Sequence, residues 1–220
     1  MDTILTVEKP DFVVFGGDQI TGENTLWENS TAYLDQVHAA VLKHNTPFAS
    51  IYGNHDESYN ISHLASYAFE KERAAARALS WTQSNRESAG DPKGIFNYYI
   101  PVYASASAKT PALLLWFFDS RAGQFNSRYF GVKDEPWMSQ DWVDPGVEPW
   151  VRDTVAGMRK QWGSVPRSLA FVHIPPRVVR NIADRVTAEP DTHPGINFEA
   201  PSIQGYRACV TAGRVLCYAS

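Results

Sequence analysis

Apolar runs and polar stops alternate over the first 56 residues in a way that spells one supersecondary unit. Asp11 to Phe15 (DFVVF) is a short apolar run stopped by Gly16-Gly17, which predicts a buried strand ending in a loop of unusual backbone angles. Residues 31 to 45 place Leu34, Val37, Val41 and Leu42 at helical spacing behind a Ser30/Thr31 cap, and Pro47 ends that helix. Phe48 to Tyr52 predicts a second strand, followed by Gly53-Asn54-His55-Asp56. Strand, loop, helix, strand and loop make a βαβ unit, so the sheet is expected to be parallel and flanked by helices.

Further along, residues 62 to 83 are rich in Ala, Glu and Arg and predict the longest helix. Asn97 to Tyr103 and Ala112 to Phe118 predict strands, the second fully buried and ending at Asp119. Arg121 to Asp144 reads as loop. Glu148 to Trp162 predicts a helix carrying Trp150, Val151, Val155, Met158 and Trp162. Ser168 to Val172 predicts another core strand, running into His173-Ile174-Pro175-Pro176. After Thr187 the periodicity fades.

Composition narrows the function classes. A chain of 220 residues with 44% hydrophobic and 13% aromatic content has material for one cored domain, with at most a small appendage, which argues against disorder and coiled coil. Lys and Arg total 20 against 24 Asp and Glu, a net charge of −4 that offers no footprint for duplex nucleic acid or an anionic membrane. The seven tryptophans are not interleaved with a basic cluster, which argues against base stacking. The longest apolar run, Pro111 to Phe118, falls far short of the roughly 20 residues a membrane span needs. Cys209 and Cys217 form neither a thiolate cage nor a disulfide framework; one bridge and two free thiols both stay open. No signal peptide is visible at MDTILTVEKPD, and the sequons at Asn29 and Asn60 permit glycosylation without requiring it, so the compartment is left open.

The candidate chemistry lies where strands stop. One strand delivers Asp18, the next Asn54 and His55, and a later one His173. Ligands of parallel sheets bind beyond the carboxyl ends of the strands, so these residues are expected to converge. A carboxylate, an amide oxygen and an imidazole suit a divalent ion such as Mn, Fe or Zn. Glycines at 16, 17 and 53 let backbone and side chains crowd an ion. Each residue also has a plain reading: Asp18 as a cap or turn residue, Gly-Asn-His-Asp as an ordinary turn, His173 as a core histidine. Their combination at three strand ends favours a metal or phosphate site.

These segments carry a resemblance. GGDQITGEN around Asp18, YGNHDE at 52 to 57 and AFVHIPP at 170 to 176 resemble, in order, the GDxxxG, GNH[DE] and single-His blocks of the calcineurin-like metallophosphoesterase superfamily. Thr3 to Pro201 is most similar to its purple-acid-phosphatase-like branch, and no P-loop motif competes. The resemblance implies an α/β fold, a four-layer α-β-β-α sandwich. It also implies a dinuclear metal centre whose bridging hydroxide hydrolyses phosphomonoesters, on small molecules or on proteins. Carried over, Asp18 bridges both metals, Asn54 and His173 bind the second, and His55 is catalytic, contacting phosphate and protonating the leaving oxygen. Asp56, Gly17 and Gly53 support them. No nucleic-acid or membrane partner is expected; oligomeric state is not legible.

Two departures qualify that expectation. The family opens with a DxH block and closes with a GHxH block, and neither occurs here; His38, His44, His63 and His193 lie outside any such pattern. Of the two metals of the family, at most one is therefore expected to bind. The chain is expected to be truncated at both ends, with a partial phosphoesterase domain over 1–204, an out-of-family tail over 205–220 and an exposed inner-sheet edge where a first strand is missing. The alternative function is an inactive homologue that binds one metal, phosphate or a partner protein.

Overall fold

The computed structural model describes residues 1–25, 28–57, 61–75, 78–84, 94–121 and 143–174. In chain order these form α1 (Asp2–Glu8), β1 (Val13–Gly16), α2 (Ser30–Lys43), β2 (Phe48–Ile51), α3 (His63–Ala75), β3 (Tyr98–Val102), β4 (Leu113–Phe118), α4 (Val147–Trp162) and β5 (Arg167–Val172), with short 3-10 turns at Gly22–Asn24 and His55–Glu57. β1 and β2 pair in parallel, with Val13 opposite Phe48 and Gly16 opposite Ile51. A second sheet runs in the order β3-β4-β5, antiparallel then parallel.

β2 and β4 are buried on both sides because both faces are covered. In β4, Leu114, Trp116 and Phe118 pack with Val147, Val151 and Met158 of α4. Its alternate residues Leu115 and Phe117 pack instead with Tyr98 and Ile100 of β3 and Ala49 and Ile51 of β2. β1 and β2 divide the same way: Phe15 and Phe48 meet Leu5 of α1 and Val41 of α2, while Val14, Ala49 and Ile51 face the other sheet. The resulting order is helix, sheet, sheet, helix, the four-layer α/β sandwich that the resemblance implied. A bond from the Tyr98 hydroxyl to the Ser50 carbonyl, 2.7 Å, joins the two sheets.

Three details differ from the sequence expectations. The helix expected over 62–83 spans only His63–Ala75. Ala78 turns to a positive φ of 52°, and residues 78 to 84 then run beside β2, with Phe48 N donating to Leu79 O and Trp81 N to Phe48 O. Burying Leu79 in the α1/α2 core and bringing Ser80 and Thr82 onto the Glu70 carboxylate outweigh the helical composition. β5 is less of a core strand than its sequence suggests, since Leu169 stays 52% exposed. The N-terminal helix α1 was not anticipated; it buries Leu5 alone and leaves Ile4 and Val7 exposed. Among the described residues β1 pairs only with β2. The domain boundary at 204 and the tail over 205–220 lie outside the described residues.

Candidate metal centre

Three strand ends meet across the two sheets. β1 runs through Gly16 into Gly17 and Asp18, which take positive φ of 93° and 50°. Asp tolerates that left-handed conformation better than most residues, and it turns the carboxylate back toward β2. There Asp18 Oδ1 accepts the His55 backbone N–H at 3.0 Å. β5 delivers His173, whose Nδ1 lies 2.9 Å from the Gly16 carbonyl. A carbonyl only accepts, so Nδ1 carries a proton and Nε2 is the face presented to the site.

That Nε2 stands 3.2 Å from Asp18 Oδ2 and 3.2 Å from Asn54 Oδ1. With a neutral imidazole, three lone-pair-bearing atoms face one another, an arrangement that requires a proton or a cation between them. Two ligands each ~2.1 Å from one ion stand about 3.0 Å apart at a right angle and about 3.4 Å apart at the tetrahedral angle. The observed separations therefore fit a shared ion, and the O, O, N donor set fits a borderline or hard divalent one.

Glycine makes the approach possible. A Cβ on Gly53 would clash with Asp18 Oδ1 and stand 2.6 Å from His173 Nε2; one on Gly17 would stand 2.8 Å from Gly53 N. A side chain at Gly53 would fill the space where the donors meet, and one at Gly17 would collide with the His173 ring and the Gly53 backbone.

The electrostatics run in the same direction. Burial by itself raises the Asp18 carboxyl, but hydrogen bonds from His173 and the His55 backbone outweigh it and hold the group below the usual carboxylate range. Burial opposes charge on His173, yet its bonds to Asp18 and the Gly16 carbonyl lift the imidazole above its ordinary value. Asp56 differs: burial pushes it up, only partly offset by two backbone donors.

Those donors tie the loops together. Asp56, fully buried, accepts Gly53 N at 2.7 Å and Ile20 N at 3.0 Å, so one carboxylate fastens the loop after β1 to the loop after β2. His55 begins the adjoining 3-10 turn, its backbone N–H donating to Asp18 Oδ1 at 3.0 Å. The structure thus brings together Asp18, Asn54 and His173 around one point, with Gly17 and Gly53 beneath, His55 beside and Asp56 behind. Among the described residues no three His, Cys, Asp or Glu side chains form a cage; this convergence holds two such side chains, and its third donor is the Asn54 amide oxygen.

Two contributors lie outside the expected site residues. His63 Nε2 lies 2.8 Å from the Gly53 carbonyl, and Ser120 Oγ accepts Ile174 N at 3.1 Å, fixing the residue after His173. Each acts on a backbone group of a site segment, and no motif marks His63. Arg121, at the start of the stretch that reads as loop, is engaged with Asp144 at 3.0 Å.

A four-layer sandwich with oxygen and imidazole donors at its strand ends is the architecture of a metallophosphoesterase. The family model described as calcineurin-like phosphoesterase matches residues 1–185, and the chain belongs to that family. It is 27% identical to phosphatase DCR2 of Saccharomyces cerevisiae over 214 residues, 95% of this chain and 32% of that protein. It is 28% identical over 189 residues to the probable inactive purple acid phosphatase 28 of Arabidopsis thaliana, and 23% over 188 residues to the probable inactive purple acid phosphatase 29 of the same plant; each match covers 80% of this chain and 44% of the relative. The chain thus spans less than half the length of these curated relatives.

Proposed function

We propose that this chain carries the phosphate-facing part of a metal-dependent phosphoesterase acting on phosphomonoesters, and that Asp18, Asn54 and His173 hold one divalent cation there. The observation that carries the reading is the convergence of Asp18 Oδ2 and Asn54 Oδ1 at 3.2 Å from His173 Nε2, over glycines that leave the space open. When bound, such an ion supplies Lewis-acid stabilisation of phosphoryl oxygens and acidifies water. The protein's own groups do the rest. The Gly16 carbonyl keeps the His173 proton on Nδ1, so that Nε2 stays available. Asp56 locks the two ligand loops in register. The His55 imidazole delivers a proton to the departing ester oxygen. Family membership supports phosphoester chemistry, and calcineurin-like phosphoesterases generally use divalent metals.

The test is hydrolysis of an aryl phosphate by the purified chain with Mn²⁺. Activity that disappears in Asp18→Asn and falls steeply in His55→Ala supports the reading. A folded protein that hydrolyses nothing with any divalent metal rejects catalysis by these residues and leaves the second reading, a non-catalytic homologue with one cation site. That reading draws on a donor set with one carboxylate and one imidazole among the described residues, and on the word inactive in the names of two relatives.

A further inference from the structure

We infer that His63, which belongs to none of the site motifs, is a positioning residue of the cation site: it grips the Gly53 carbonyl and so sets where the Asn54 donor stands relative to His173. The inference rests on the cation reading above and adds to it the residue that holds the ligand loop from behind.

Gly53 lies directly against the donors, as the clash of a built Cβ with Asp18 and His173 shows. It is also the residue type with the most conformational freedom, so its peptide needs external restraint if the next residue is to hold a ligand atom in place. Both of its polar groups are restrained by buried side chains. The N–H is held by Asp56 Oδ2 at 2.7 Å, and the carbonyl by His63 Nε2 at 2.8 Å. Because a carbonyl only accepts, the His63 proton sits on Nε2.

The clamp is itself rigid. His63 is 2% exposed and opens α3. Its ring packs against one side of the Tyr52–Phe96 pair, with centroids 5.7 Å from Tyr52 and 6.2 Å from Phe96. The Tyr52 hydroxyl is tied to the buried Glu70 carboxylate at 2.8 Å, which also accepts from Ser80 at 2.7 Å and from Thr82. The buried imidazole thus rests against a braced aromatic pair and points at the carbonyl whose rotation would swing Asn54 Oδ1 away from its position 3.2 Å from His173 Nε2. A histidine serving only to pack against Tyr52 and Phe96 would need no such aim.

The experiment is Mn²⁺ titration of the folded 220-residue chain, followed by calorimetry and by the electron paramagnetic resonance of free ion, on wild type, His63→Leu and His63→Gln. A Gln amide reaches the Gly53 carbonyl; Leu fills the space without a donor. Outer partners of metal ligands typically govern affinity by ten- to a hundredfold, so His63→Leu is expected to weaken Mn²⁺ binding about tenfold or more and His63→Gln to recover it to within about threefold. If His63→Leu does not fold, His63→Asn, polar but too short to reach, carries the same expected loss. Met158→Ala, in the separate core under α4, is the control: it lowers the melting temperature and leaves Mn²⁺ affinity unchanged. Wild type that binds Mn²⁺ with the same affinity as folded His63→Leu or His63→Asn overturns the clamp and spares the cation site. Wild type that binds no Mn²⁺ overturns the cation site, and the clamp with it.

Discussion

The end of β2 and the end of β5 each deliver a donor to the same point, but they are held in different ways. Behind β2, buried polar side chains grip the loop on both sides: Asp56 on Gly53 N, His63 on Gly53 O, with Tyr52 and Glu70 bracing the histidine. Behind β5, His173 is held by the Gly16 carbonyl and its neighbour Ile174 by Ser120, on a strand whose Leu169 is half exposed. One end is braced by a buried polar network, and the other by single bonds from the opposing loops. Buried polar groups that are fully paired rigidify a structure, and each pairing lost is costly. The comparison teaches that the Asn54 arm supplies fixed geometry, whereas the His173 arm takes its position from the β1 loop it touches.

The comparison breaks most severely at Asp56. Asp56→Ala strips two buried backbone donors of their acceptor and is expected to cost about 2–4 kcal/mol of stability, read in urea denaturation. Asp56→Asn recovers only part of that loss, because its single amide oxygen cannot serve both Gly53 N and Ile20 N. At the other end, Ser120→Ala removes the acceptor for one N–H and is expected to cost about 1 kcal/mol in the same assay. Equal losses at the two ends would mean that the asymmetry described here does not exist.

The smallest effect is a pH dependence behind β1. His38 is buried against Phe15 and Phe48, with Nε2 2.8 Å from Gln19 Oε1. Burial pushes its imidazole below the ordinary histidine value, only partly opposed by the nearby charges of Glu70 and Asp35. The unfolded chain therefore binds a proton at His38 before the folded one does. His38 costs no stability above its unfolded value of about 6.5, and destabilises as the pH falls below it with a slope of at most about 1.4 kcal/mol per pH unit. His173, raised rather than lowered, works with the opposite sign over neighbouring pH. Denaturation at pH 7.5 and 5.5 of wild type and His38→Leu isolates the effect, and a smaller drop on acidification in the variant is the expected outcome.

Much of this was legible from the order of residues. Apolar runs ending in Asp18, in Asn54 and in His173 could be read as strand ends because β1, β2 and β5 obey the parallel-sheet rule that gathers ligands at their carboxyl termini. The two-sided burial of β4 was visible in an unbroken apolar run. The rest depended on contacts between distant parts of the chain. Residues 78 to 83 continue the Ala-, Glu- and Arg-rich stretch without a break in the sequence, yet Leu79 belongs to the α1/α2 core and Thr82 to the Glu70 carboxylate. α1 buries a single leucine and offers almost no periodic signal. His63 works through a backbone carbonyl ten residues earlier in the sequence, a relation that no motif encodes.

The central claim, that Asp18, Asn54 and His173 form a cation site, is tested most directly by the stoichiometry of Mn²⁺ binding to wild type, Asp18→Asn and His173→Ala at pH 7.5. The account predicts one strongly held ion per chain in wild type and its loss in either variant with the fold retained by circular dichroism. Binding that persists undiminished in both variants, or is absent from the folded wild type, would contradict it.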